Sequence, residues 1–188
     1  MILPMGRTKL YDRDALLDAA MLVFWQRGYA DTSLQQLERA TGVNKSGLYA
    51  EFKDKEDLFL SSLRYYVARR AGEGLLTAEP PGWGNVERLL RAGPACSAGR
   101  KGCFAINAMR EVESLPAAAA DIVAASQAAM LSLLVRNIGA EQTRLPAKQI
   151  AEIVLIFFSG LCIEMNLGPS PQTVSRKVRN FMAMLKMM

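Results

Sequence analysis

Between Asp12 and Leu75 the chain sets out four helices in close succession, each with its own start and stop signals, and this punctuation constrains the fold more than any other feature. Ala15, Leu16, Ala19, Ala20, Val23 and Phe24 recur at helical spacing after Asp12 or Asp14, either of which suits an N-cap, until Gly28 ends the run. Ser33 is placed to cap a second helix with Leu34, Leu37 and Ala40 on one face, and Gly42 stands where a left-handed residue closes it. Asn44 predicts the cap of a very short third helix, Lys45 to Phe52. Asp54 opens a fourth, with Glu56 and Asp57 in its first turn where negative charge suits the helix dipole, and the pattern runs to Arg70 or Leu75. Residues 1–11 lack apolar periodicity and carry Arg7 and Lys9, which reads as a basic arm.

Beyond the fourth helix, "TAEPPGWGN" interrupts the pattern through Pro80, Pro81, Gly82 and Gly84, and helices are expected over about 85–97, 103–115, 117–138, 147–167 and 171–187. No segment needs a strand, and a hydrophobic content of 51% rich in Ala, Leu and Met agrees with an all-α fold. At 188 residues the chain can bury a core without staples. We expect two continuous units, a head over 1–60 and a larger helical body over 61–188, with the change inside the fourth helix. The longest apolar run, "IVLIFFSGLCI", is about half of the ~20 residues that span a bilayer, so it reads as a buried helix and no membrane partner is expected.

The absences narrow the chemistry. There is no histidine, hence no Ser-His or Cys-His nucleophile pair, and no phosphate-binding loop, G-x-G-x-x-G run or pair of carboxylates at catalytic spacing. An enzyme and a cofactor are therefore not expected. Three scattered cysteines, Cys96, Cys103 and Cys162, with no apolar leader in "MILPM", point to a reducing cytoplasm. They offer no C-x-x-C spacing and would suit at most a soft ion such as Cu(I), so no metal site is expected.

Two helices joined at Gly42, the second led by small polar residues and a lysine, have the form of a helix-turn-helix, whose second helix enters the DNA major groove. A solvated helical hairpin has the same spacing. Over about residues 7–60, however, the chain resembles the DNA-binding domain of the tetracycline-repressor (TetR) family. The likeness rests on the "F-x-x-x-G-Y-x-x-T-S", "A-x-x-x-G-V-x-K-x-x-L-Y-x-x-F" and "K-D-K-E-D-L" runs in the right order and separation. The resemblance implies a three-helix DNA-reading head on a ligand-binding body that dimerises. It further implies transcription regulation, most often repression released by a small-molecule or reactive effector. In residues 61–188 only "GCFAIN" is similar to a segment of some members. The rivals are a helical carrier or enzyme that uses a body cavity without DNA, and a helical adaptor for another protein.

Lys45, Ser46 and Gly47 lead the third helix and are the base-reading candidates, Lys45 as donor to guanine O6 or N7. Tyr49, whose hydroxyl sits on a rigid ring, suits a phosphate, and the resemblance places it there; a packed core tyrosine is the alternative. Lys53 and Lys55, with the amides at the start of the fourth helix, would clamp another phosphate, and Thr32 and Ser33 are similarly placed on the second helix. Leu34, Leu37, Val43, Leu48, Phe52 and Phe24 read as the head's core. Residues 1–60 hold eight Lys/Arg against nine Asp/Glu, so the head is net −1 within a chain of +5. Charge distribution must therefore serve, with Asp12, Asp14, Asp18 and Glu38 turned away from the basic side, and the basic body has no explanation in this reading.

In the body, Ile150, Ile153, Val154, Phe157, Phe158 and Leu161 form one stripe and Val174, Val178, Phe181, Met182 and Leu185 another. Either could be plain core. In the family resembled, the last two long helices build the interface of a homodimer, as a palindromic operator requires, and so Ile150, Ile153, Val154, Phe157, Leu161, Val174, Val178, Phe181, Met182 and Leu185 are the interface candidates. An effector cavity is expected among Phe59, Tyr66, Cys103, Phe104, Asn107, Glu111, Met130, Leu134, Phe158 and Cys162. Cys103 follows Arg100 and Lys101 and begins a helix, two conditions that favour a thiolate, although a small buried hydrophobe is the other reading. Some members of the family sense electrophiles or oxidants with a cysteine, and Cys103 resembles that arrangement.

Overall fold

The computed structural model describes residues 11–69, 72–92, 102–111 and 113–188, and these form an all-helical fold with no strand among them. The basic arm with Arg7 and Lys9, together with Cys96, Arg100 and Lys101, lies outside the described residues.

The head follows its caps. Helix α1 (Arg13–Arg27) starts at Asp12, whose carboxylate accepts the Asp14 amide at 2.9 Å, and stops at Gly28 with φ +83°. Helix α2 (Leu34–Thr41) carries a capping box: Ser33 Oγ accepts the Gln36 amide while Gln36 Oε1 accepts the Ser33 amide. Gly42, at φ +69°, closes α2 by donating to the Glu38 carbonyl. Asn44 Oδ1 then accepts the Gly47 amide at 2.9 Å and opens α3 (Lys45–Glu51). Helix α4 (Lys55–Arg69) begins with the Asp54 carboxylate accepting the Asp57 amide at 2.8 Å. Phe24, Leu37, Val43, Leu48, Phe52 and Leu58 are buried together and fix α2 and α3 against α1 and α4. Truncating a fully buried member such as Leu37 to Ala should cost about 2–5 kcal/mol.

The body adds α5 (Gly72–Leu76), α6 (Trp83–Ala92), α7 (Phe104–Ala108) continued by a 3-10 turn to Glu111, α8 (Ala117–Ile138), α9 (Ala147–Glu164) with a 3-10 turn to Leu167, and α10 (Pro171–Leu185). The short α5 and the early start of α6 differ from the sequence expectation: Trp83 and Gly84 are helical, not loop. The cause is a buried amide pair. Asn137 on α8 accepts from the Gly82 amide and from Asn85 Nδ2, and donates to the Leu76 and Leu133 carbonyls, while Asn85 also donates to the Ala78 carbonyl. Glu141 accepts the Trp83 amide at 2.7 Å, and the turn over 77–82 is thereby pinned on α8.

Helices α8 and α9 pack on each other, and α4 packs on α1 of the head as well as on α7 and α8 of the body. By length and composition alone α8 and the α9 segment to Leu167 could each cross a bilayer; here Met130, Leu134, Ile150, Val154, Phe158 and Leu161 are buried in a core shared with the other helices.

Candidate nucleic-acid interface and thiol site

The short α3 presents Lys45, Ser46, Tyr49 and Ala50 outward, at spacing that puts all four on one side of the helix. Tyr49 is 43% exposed, so it is not a core tyrosine, and the Lys45 ammonium lies 5.8 Å from its ring centroid. Gly47 is not part of this face. A Cβ there would lie 2.6 Å from Val43 Cγ1, and its carbonyl accepts from the Tyr11 hydroxyl at 3.3 Å; the glycine lets α3 seat closely on Val43. Ala50 was missed in the sequence because a small apolar residue carries no chemical signal.

The phosphate-clamp candidates separate in the same way. Lys53 and Ser33 are exposed. Lys55 points inward: its ammonium donates to the Tyr29 carbonyl at 2.9 Å and the Thr32 carbonyl at 3.1 Å, and lies 4.5 Å from the Tyr29 ring centroid. It is a strut between α4 and the turn before α2. Burial, with the Glu56 and Asp54 carboxylates, raises the Tyr29 phenol above its ordinary pKa. Thr32 is 1% exposed and its hydroxyl donates to the Gly28 carbonyl, so its side chain is internal as well. At the start of α4 the Lys53 amide is taken by Asp57 and the Asp57 amide by Asp54, and the carboxylates of Asp54, Glu56 and Asp57 oppose an anion there. Glu38 is not turned away: its carboxylate accepts the Lys45 amide and ties α2 to the first turn of α3. Asp14 pairs with Arg69 instead.

In the body, Ile150, Val154, Leu161, Val178, Met182 and Leu185 are at most 3% exposed and belong to the protomer's own core, so they are withdrawn as interface candidates. Ile153, Phe157, Val174 and Phe181 are half-buried, and Phe157 stacks on Phe181 at 3.7 Å to join α9 with α10. Beside them Ile156 (73% exposed), Ile163 and Met184 stand in the open, and a Cβ on Gly160 would meet nothing. An apolar face therefore exists on these two helices, rotated from the expected one.

The expected effector residues divide among three places. Cys103, Met130 and Phe158 line a cavity of only about 20 Å³ between α7, α8 and α9, far below the ~300–1,000 Å³ of a typical ligand pocket. Phe104, Asn107 and Glu111 line a separate cleft of about 530 Å³ where α1 of the head meets α7. Phe59, Leu134 and Cys162 are fully buried and line neither. Three of the expected side chains thus line a roomy cleft, and the others are divided between the small cavity and the core.

Tyr66 is half-buried, and its hydroxyl donates to Cys103 Sγ at 3.2 Å. Trp25, absent from the sequence candidates, packs edge-on to Tyr66 at 5.1 Å and stacks on Phe104 at 5.8 Å, so an aromatic cluster runs from the thiol into α1. Glu111 adds a second link: its carboxylate accepts the Ala30 amide at 3.1 Å and lies so close over Gly28 that a Cβ there would be 2.0 Å from it. A hydrogen bond from the Cys162 thiol holds the Cys103 pKa at about 6; burial opposes this, and Tyr66 and the Ile106 and Ala105 amides assist. The thiolate is thus favoured, against burial, by the Cys162 and Tyr66 hydrogen bonds and the amides at the start of α7.

These features define a class: a helix-turn-helix head fused through α4 to a helical body with an internal activated thiol. Residues 16–61 match the sequence model of the family described as bacterial regulatory proteins, tetR family. The HTH-type transcriptional repressor ComR of Escherichia coli (strain K12) is 53% identical over 68 residues, 36% of this chain and 32% of that protein. The uncharacterized HTH-type transcriptional regulator YezE of Bacillus subtilis (strain 168) is 37% identical over 87 residues, 46% and 44% of the two chains. The matched stretch thus spans less than half the length of these curated relatives. Across nearly the full length, the fold is similar to a cysteine mutant of the TetR family transcriptional regulator CifR complexed with 26bp double-strand operator DNA. The TM-score is 0.83 and the identity 25%, over 94% of this chain and 98% of that one. The reduced form of E. coli NemR shares the fold at a TM-score of 0.74 and 17% identity. Residues 16–61 thus carry the sequence signature of the tetR family, and the fold of the described residues is similar to that of TetR-family regulators.

Proposed function

We propose that the protein is a sequence-specific DNA-binding transcriptional regulator, acting as a cytoplasmic homodimer that represses from a palindromic operator and is not an enzyme. The observation that carries the reading is the outward face of α3, where Lys45, Ser46, Tyr49 and Ala50 stand clear of a head whose apolar side chains are otherwise packed. In this reading residues 1–60 read DNA and residues 61–188 dimerise and sense. Lys45 and Ser46 face base edges, while Tyr49, Lys53 and Ser33 hold phosphates. The dimer forms through Ile153, Ile156, Phe157, Gly160 and Ile163 on α9 with Val174, Phe181 and Met184 on α10.

The sensing element in this reading is Cys103. Its cavity admits a molecule of about the size of water, which suits a small oxidant or electrophile better than a drug-sized effector. Modification of the sulfur would weaken or displace the acceptor of the Tyr66 hydrogen bond and repack Trp25 and Phe104, and so bear on α1 directly. Such a change moves the DNA-binding equilibrium only by its differential effect on the two arrangements of the body.

A mobility-shift assay on the region upstream of the protein's own gene, at physiological salt with excess unrelated duplex, tests the reading. Specific retention is expected. The double variant Lys45→Ala, Tyr49→Phe should remain folded and lose that retention; equal binding of all duplexes by the parent protein would reject the reading.

A further inference from the structure

Cys162 is absent from the mechanism above, yet it is a second thiol beside Cys103. It lies on α9, fully buried, in a helix otherwise concerned with core packing and the outer apolar face. Two features bring it to Cys103. Its thiol hydrogen-bonds to Cys103 Sγ. The backbones also approach closely: Gly102 takes φ +71°, and a Cβ on it would sit 2.3 Å from the Cys162 carbonyl oxygen, so any other residue at 102 would push α7 away from α9. Neither cysteine is in a disulfide. An activated sulfur, a second thiol in contact with it and a cavity open to a water-sized reagent are the components of a two-thiol peroxide reaction.

We infer that Cys162 is the resolving partner of Cys103, and that a hydroperoxide converts the pair to an intramolecular Cys103–Cys162 disulfide joining α7 to α9. The inference rests on the proposed role of Cys103 as the reactive residue. In the first step the Cys103 thiolate attacks one peroxide oxygen; the S–O bond forms, the O–O bond breaks, and hydroxide leaves to be protonated to water. In the second step Cys162 gives up its proton and its sulfur attacks the Cys103 sulfenic acid. The S–S bond forms, the S–O bond breaks, and the departing hydroxide takes the proton as a second water. The two thiols lose two electrons and hydrogen peroxide gains them. The pairing has a structural consequence beyond protection from further oxidation: Cys162 directly precedes Ile163 of the outer apolar face, so the covalent link reaches α9 as well as the head.

The test treats the full-length dithiol protein with hydrogen peroxide and then unfolds it in dimedone, so that the small cavity does not exclude the label, with peptide mapping under non-reducing conditions. The expected product is a Cys103–Cys162 linked peptide reversed by dithiothreitol, with little dimedone on Cys103. Cys162→Ala should instead accumulate dimedone-labelled Cys103. Mapping of the parent protein decides the matter even if Cys162→Ala does not fold. A parent protein that collects dimedone on Cys103 without a link to Cys162, or that links Cys103 to Cys96, would overturn the resolving role and leave Cys103 as the sensor. A Cys103 that neither labels nor links would overturn the sensor reading together with this one.

Discussion

Replacing Lys55 with methionine separates a strut from a phosphate contact. The ammonium makes two hydrogen bonds, to the Tyr29 and Thr32 carbonyls, and one cation–π contact with Tyr29. A hydrogen bond from a charged donor contributes about 1.5–3 kcal/mol net, and a partly exposed cation–π contact about 0.5–1. The three interactions share one cation and the carbonyls can take up water after its loss, so the sum is discounted to about 2 kcal/mol. In a chain of this size that lowers Tm by about 4–8 °C. Methionine keeps the stem volume, so the loss reports the ammonium. The same variant should leave the salt dependence of operator binding nearly unchanged. Lys53→Ala should do the reverse, with a normal Tm and a log K versus log salt slope flattened by about 0.9 per protomer, or about 1.8 for a dimer. Thermal melts and binding titrations over a salt series read both quantities. A Lys55→Met protein with unchanged Tm and a slope flattened as for Lys53→Ala would refute the reasoning and return Lys55 to the DNA.

Ile156→Glu should yield a folded monomer in light scattering, because the side chain is 73% exposed in the protomer, whereas Ile150→Glu places a charge in the closed core and should prevent folding. Oxidation of Cys103 by hydrogen peroxide should reach half its maximal rate near pH 6 and change little from pH 7 to 9, since the thiolate is then almost fully formed; an ordinary thiol would still be accelerating over that range. Tyr66→Phe removes one donor to the sulfur and should move the midpoint upward.

The head was legible because its signals are local. Asp12, Ser33 and Asn44 cap within three residues of themselves, Gly42 takes the left-handed turn its position demands, and the helices follow to within a residue or two. The direction of Lys55 was not, because its partners lie 23 and 26 residues earlier in the sequence and a lysine beside a helix start has the same spelling whether it points in or out. Gly47 has the same difficulty: its reason is Val43 and Tyr11, not an open groove. On α9 both faces are apolar, so periodicity found the helix but could not say which stripe was core; Ile150 and Val154 went inward and Ile156 outward. The expected cavity was divided because volume is a property of packing: Phe104, Asn107 and Glu111 line the roomy cleft beside α1, whereas Met130, Leu134 and Phe158 are buried in the core. Cys103 was singled out for Arg100 and Lys101, but its environment among the described residues is made by Cys162 and Tyr66, 59 and 37 residues away in sequence order.

Selection of bound duplexes from a random pool, followed by sequencing and native mass measurement of the winning complex, tests the central claim most directly. The account predicts a palindrome with half-site centres one helical turn apart, or a multiple of it, about 34–36 Å per turn, bound by at least one pair of protomers. A pool that shows no enriched sequence, or an enriched site without two-fold symmetry bound by a single protomer, would contradict it.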